Sequence, residues 1–351
     1  MKTRRGSPGR RWVSYAAAAL ALALWLAPVP PHAVERWYSR GAYPAWQRAA
    51  TVIGNFVPVA LFDLLLAGAA AAIVVTMVRA RRARSMARGV ERVLFTLAIA
   101  AVWFQLAWGL NYRRVPIAET LALRVDAAPA GALERFARAA AAETAAAAGD
   151  LDRGAPFTPA RMMAELSSGF ARAQQRVGLT SLARAGRPKH SLFNPYFRWA
   201  AIDGLTNPFI PETIVVTGLT PAEAYATVAH EWAHLAGYAS EDEANFVGWL
   251  ACLEAGGGAR YNAWLFALTK AAGAAPRAQG RAWIALAGPR AAEDLAAIRE
   301  RLLSSSPAVR RAASGAYDRF LRANRVESGI DSYDEVLKLM LAAAPGGRPT
   351  S

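Results

Sequence analysis

The residues His230-Glu231-Trp232-Ala233-His234 place two of the chain's four histidines four positions apart, with a carboxylate between them. On a helix, residues i and i+4 stand one above the other, so both imidazoles can reach a single metal ion. Glu231 lies one position along and points beside that ion, where it can take a proton from a water on it. The chemistry implied is metal-assisted hydrolysis, with Glu231 as general base.

Two imidazoles need a third ligand. Glu241-Asp242-Glu243-Ala244-Asn245-Phe246 opens a second predicted helix shortly after the motif. Glu241 and Asn245 are four apart and share a face; Glu243, two positions on, lies on another face and is the competing ligand. The elements that must hold these residues are legible nearby. Thr220-Pro221-Ala222-Glu223 reads as a capping box with proline at the first helical position. Gly237 offers a stop after the second histidine, and the β-branched run at 213–217 reads as a strand entering the helix. Zinc peptidases hold an extended substrate beside the metal with this arrangement.

The E-x-x-A-N pattern at Glu241 to Asn245 resembles the element that supplies the third zinc ligand in gluzincin-type metallopeptidases. That resemblance implies Glu241 as the ligand, with Glu243 and Asn245 as alternate or supporting groups. The motif pair also resembles a bacterial membrane-protein family, domain of unknown function 3810. The similarity extends to the apolar N-terminal segments, Asn207-Pro208-Phe209, and the closing run at 332–339. The family implies a membrane-anchored, zincin-like protein and supplies no substrate.

Composition places part of the chain in a membrane. Of the net charge of +15, residues 1–92 hold 14 Lys and Arg against 3 Asp and Glu, or +11. Those arginines flank apolar runs, as cytoplasmic membrane flanks do, so the basic balance does not point to nucleic acid. Three transmembrane helices are expected at about 12–29, 56–78 and 93–110, forming a membrane domain over 1–110. The first has the charged start of a cleaved signal, but prolines follow it in place of a small-residue cleavage site. Arg79 to Arg92 then lie on the cytoplasmic side with the N-terminus, and the 30–55 loop and everything after Leu110 lie outside. Trp25, Trp37, Tyr38, Tyr43, Trp46, Trp108 and Tyr112 are expected at the outer interface of a bacterial plasma membrane. Asp63, near the outer end of its span, is expected to be hydrated or paired.

The remainder, 111–345, is expected to be a zincin-like α+β domain with a small sheet, followed by a disordered tail at 346–351. The whole chain is thus mainly α, multi-pass transmembrane helices preceding a metallopeptidase domain. Helices are expected at 131–148, 159–175 and 332–344, with a break between 324 and 332. Residues 178–211 read as a proline- and aromatic-rich loop, either a wall of the cleft touching the membrane or ordinary core. Cys252, the one cysteine, reads as a buried thiol, which excludes an internal disulfide.

Three functions suit these features. The first is a peptidase holding one Zn²⁺ on His230, His234 and Glu241, although two histidines and a carboxylate also suit manganese, iron or cobalt. Its transition-state donor stays open among Tyr238, Tyr261, His190 and Arg198. The second is a catalytically silent binding or regulatory protein with a structural metal, which a closed fourth ligand would favour. The third, an intramembrane protease, is opposed by the charges around the motif and by the placement of Asp203-Gly204 before it.

Overall fold

A computed structural model describes residues 8–126, 129–154, 156–326 and 332–344, without the side chains of 8–11 and 332–334. The tail expected at 346–351, and most of the break expected between 324 and 332, lie outside the described residues. The described chain is mainly helical with a small two-stranded sheet.

Helix α1 (Pro8–Leu26) ends where Pro28, Pro30 and Pro31 remove backbone donors. Pro31 then opens a new helical run: α2 (Pro31–Ala33), a π-helical stretch (Val34–Ala42) and α3 (Tyr43–Phe56). The expected loop at 30–55 is therefore helical from residue 31 onward. Its aromatic and arginine content suggested an interface, but Val34, Glu35, Tyr43, Gln47, Ala50 and Gly54 bury one face at helical spacing. Helices α4 (Leu61–Arg82) and α5 (Met86–Ala107) are each long and apolar enough to cross a membrane. The segment expected as the first span passes that test only jointly with the run after it, across a bend of 108°. Both α1 and α4 pack on α5.

A 3₁₀ turn (Gly109–Arg113) leads into α6 (Ile117–Thr120), α7 (Ala132–Ala147) and α8 (Pro159–Arg176). The expected loop at 178–211 contains α9 (Asn194–Ala200) and strand β1 (Gly204–Thr206), short elements hidden among prolines. Strand β2 (Thr213–Val215) pairs antiparallel with β1, Leu205 opposite Ile214, and bridges in parallel to Lys189 on its other side. Then come α10 (Pro221–Leu235), α11 (Glu241–Ala255), α12 (Gly257–Gly273), α13 (Arg277–Leu286), α14 (Pro289–Leu303), α15 (Pro307–Ala323) and α16 (Ser332–Ala343).

Helix α11 is the hub, packed against α8, α10, α12 and α16. Its interior holds Phe246, Leu250 and the buried Cys252. The alanine-rich α7 lies on α12 through Ala137, Ala140 and Ala141, all fully buried; small side chains let the two backbones approach. Helix α4 is bonded into this body. Glu212, just before β2, pairs with Lys189 at 2.9 Å and accepts from the backbone N–H groups of Leu61 (3.0 Å) and Phe62 (2.6 Å) at the start of α4. Those two N–H groups have no partner within the helix, so the carboxylate caps α4 from outside it. Asp63 is paired, accepting from Ser191 Oγ at 2.5 Å and Leu192 N at 2.7 Å.

Candidate metal centre

Helix α10 starts at Pro221, where Glu223 Oε1 accepts from Thr220 N at 2.8 Å, one half of the expected capping box. The Thr220 side chain faces the Glu223 backbone N–H and completes the box. Helical spacing then stacks His230 and His234, their ring centroids 4.6 Å apart and nearly perpendicular. After α10 the chain turns at Gly237 (φ 84°) and enters α11, whose first residue is Glu241. A close crossing sets the distance between the two helices. A Cβ on Gly248 would lie 2.8 Å from His230 N and 3.0 Å from Ala229 C, so only glycine lets α11 lie this near α10.

The result is a triangle of ligand-type atoms. His230 Nε2 and His234 Nε2 are 3.1 Å apart, and Glu241 Oε2 is 3.2 Å from the first and 3.7 Å from the second. Glu241 is almost fully buried, and its Oε2 has no hydrogen-bond partner among the described residues. His234 Nδ1 lies 2.7 Å from the Tyr238 carbonyl, which fixes the proton there and leaves Nε2 free to act as a ligand. Arg114 holds that turn. It donates to the Gly237 carbonyl at 3.0 Å, covers the Tyr238 ring at 4.2 Å and pairs with the buried Glu35.

Glu231 sits beside the triangle against β1. Thr206 Oγ1 donates to its Oε2 at 2.8 Å, and a Cβ on Gly204 would fall 2.4 Å from Oε1, so the strand hugs the carboxylate. Burial raises the Glu231 pKa above the usual carboxylate range, against the pull of the two histidines and the Thr206 bond. Burial by itself would lower His234, but the Glu241 carboxylate prevails and raises it to about 9. Glu241 shows the reverse balance: burial would raise it, and the two histidines hold it well below its usual value.

Of the other residues singled out, Glu243 turns away. Its Oε1 accepts from Ile117 N at 2.5 Å, and burial raises it to about 7 despite Arg114. Asn245 lines the cleft, with Nδ2 buried and without a hydrogen-bond partner among the described residues. None of the four donor candidates reaches the triangle. His190 Nδ1 pairs with the Val215 carbonyl, Tyr261 donates to Asp294, Tyr238 lies under Arg114, and Arg198 lines a separate small hollow. The hydroxyl that does reach it is Tyr317 on α15, which donates to Glu241 Oε1. Sequence reasoning missed it because it stands 76 positions from Glu241 on an amphipathic helix without a motif.

The triangle opens into a cavity of about 960 Å³. Leu205, Leu265, Phe266, Leu295, Ile298 and Phe320 supply much of its wall, with Trp108, just after α5, and Tyr112 of the 3₁₀ turn. Trp108 also donates to the His234 carbonyl at 3.2 Å, tying the C-terminal end of α5 to the histidine helix.

A family model described as "Protein of unknown function (DUF3810)" matches residues 38–341. No curated protein and no solved structure matches the chain.

Proposed function

The chain belongs to this family of unknown function, and we propose that it is a membrane-anchored, zinc-dependent metallopeptidase. On this reading residues 1–110 form a multi-pass membrane domain and 111–345 a zincin-like domain. The observation that carries the proposal is the triangle of 3.1, 3.2 and 3.7 Å beside a buried glutamate. A tetrahedral zinc site with bonds of 2.0–2.1 Å spaces its ligands about 3.3 Å apart, so the three side chains fit one ion. Glu241 Oε2, which beyond the two imidazoles has no hydrogen-bond partner among the described residues, is the atom such an ion would satisfy.

The chemistry a zinc ion supplies at such a site is acidification of a water and polarisation of a carbonyl oxygen. Glu231 accepts the proton of the attacking water on its carboxylate and passes it to the leaving amine. Thr206 holds that carboxylate in one orientation throughout. The ladder bonds flanking β1, Val216 N to Asp203 O and Asn207 N to Glu212 O, set the alternation of the strand. Gly204 and Thr206 therefore direct their backbone groups away from β2, and both residues line the cleft, where an extended peptide can pair with that edge. The apolar walls favour apolar side chains on that peptide. The silent-binding alternative is favoured by a fourth protein ligand, and Glu243 is engaged elsewhere.

The arginines at the far end of α4 argue that this end faces the cytoplasm of a bacterial cell. The site-bearing part then lies on the outer face of the plasma membrane. The test is cleavage of a peptide library by purified, zinc-loaded, full-length protein. Glu231→Gln is expected to cut turnover by about 10²–10⁴-fold at unchanged zinc content. Equal turnover by both proteins would remove the reading.

A further inference from the structure

Residues 191–200 carry apolar side chains on two opposite faces. Phe197 is buried and belongs to a small core with Ile214 and Val216, which accounts for the inward face of α9. The outward face carries Leu192, Phe193, Tyr196 and Trp199, with Leu192 86% and Trp199 54% exposed. Single exposed apolar residues are ordinary, but four within eight positions, three of them aromatic, form a patch. Arg198 is exposed on the same short helix.

The position of this patch relative to α4 says what covers it. Asp63 binds both Ser191 Oγ and Leu192 N, and Phe62 meets Phe193 edge-on at 6.4 Å, so the patch is fixed to the first turn of α4. From Leu61 to Arg79, α4 rises about 27 Å at 1.5 Å per residue. A hydrocarbon layer is about 30 Å thick. With Arg79, Arg81 and Arg82 in one headgroup layer, the opposite hydrocarbon boundary falls level with the first turn of α4. Leu192 is held at that level. Leu64, Leu65 and Leu66, which follow Asp63 directly on α4, are exposed as well. Tyrosine and tryptophan favour this depth, where the ring is desolvated and its polar edge stays wet, and arginine there reaches headgroup phosphates.

We propose that the 191–200 segment is an interfacial membrane anchor, with Leu192, Phe193, Tyr196 and Trp199 seated at the headgroup–hydrocarbon boundary of the leaflet on the site's side. Tyr196 also lines the cavity of the metal centre, so the anchor fixes one wall of the cleft at the bilayer surface. On the peptidase reading, on which this one consequence rests, the substrates are chain segments lying at or emerging from that leaflet.

The test reads depth and does not depend on activity. Full-length protein with Leu192→Cys is labelled with bimane and reconstituted in phosphatidylcholine vesicles containing acyl-chain-brominated phosphatidylcholine. Val74→Cys, on the exposed side of α4, is labelled in parallel. The unmutated protein, whose Cys252 is buried, gives the labelling background. Both reporters are expected to be quenched, Leu192 most by bromines near the headgroup and Val74 most by bromines at mid-chain. Quenching at Val74 with none at Leu192 overturns the anchor, leaves the spans standing and assigns the patch to a protein partner. Quenching at neither position overturns both the anchor and the membrane placement of α4.

Discussion

Tyr317, outside the motif, bonds directly to the side chain of a candidate ligand, through Glu241 Oε1. That bond orients the carboxylate so that Oε2 faces the two imidazoles. Groups that orient metal ligands typically contribute 10- to 100-fold to affinity. Tyr317→Phe is expected to weaken zinc binding by about that factor in a chelator competition while leaving the fold intact; unchanged affinity would show that the bond has no such role. A second expectation concerns pH. In the metal-free protein, burial opposes the charge on His234 but Glu241 outweighs it, so the folded-state pKa of about 9 exceeds the ordinary 6.5. A raised histidine contributes stability that is complete below pH 6.5 and lost as the pH rises through about 9. Chelator-treated protein is therefore expected to melt at progressively lower temperature across that window. Zinc-loaded protein, with the imidazole held by the ion in place of the proton, is expected to lose much less. The stacking of His230 on His234 could be read from spacing because a helix brings positions four apart onto one face. Tyr317 could not, because its approach depends on how α15 lies across the cleft.

At the level of elements, the centre depends on α10 and α11 meeting at Gly248. A side chain there would press on the backbone at Ala229 and His230, which cannot move aside as a flexible side chain can. Gly248→Val is expected to cost about 1–3 kcal/mol and to weaken zinc binding as Glu241 is pushed away. Gly315→Ala is the control: nothing lies within 4 Å of its Cβ position on α15, so the melting temperature is expected to hold or rise slightly. Thermal melts of the two variants, with and without zinc, check this pair. Equal melting temperatures for Gly248→Val and the unmodified protein would mean that the crossing is looser than the structure shows. The major helices were legible in the sequence because alanine-rich and amphipathic segments repeat at helical spacing. Helix α3 and the π-helical stretch before it were not, because a run of Trp, Tyr and Arg signals an interface as readily as it signals one buried helical face. Strand β1 was missed for a different reason. Three residues are too few for alternation to show, and β1 exists as a strand because β2 lies beside it.

For the whole molecule, division at residue 110 gives two parts that are bonded together close to the centre. Trp108 reaches the His234 carbonyl and Tyr43 the Leu235 carbonyl at 3.0 Å, so two groups from before residue 110 hold the end of the histidine helix, and Arg114, just after it, adds a bond to the Gly237 carbonyl. Hydropathy located α4 and α5 because length and apolarity are properties of a segment alone. It could not show that the aromatics near 38–46 and 103–112 join in one cluster, since that depends on packing between segments. The central claim is that His230, His234 and Glu241 hold one zinc ion, and metal content of the purified full-length protein tests it most directly. About one zinc per chain is expected, lost in His230→Ala and Glu241→Ala and kept in Glu231→Gln. Retention of zinc by Glu241→Ala, or no zinc in the unmodified protein, would contradict the account.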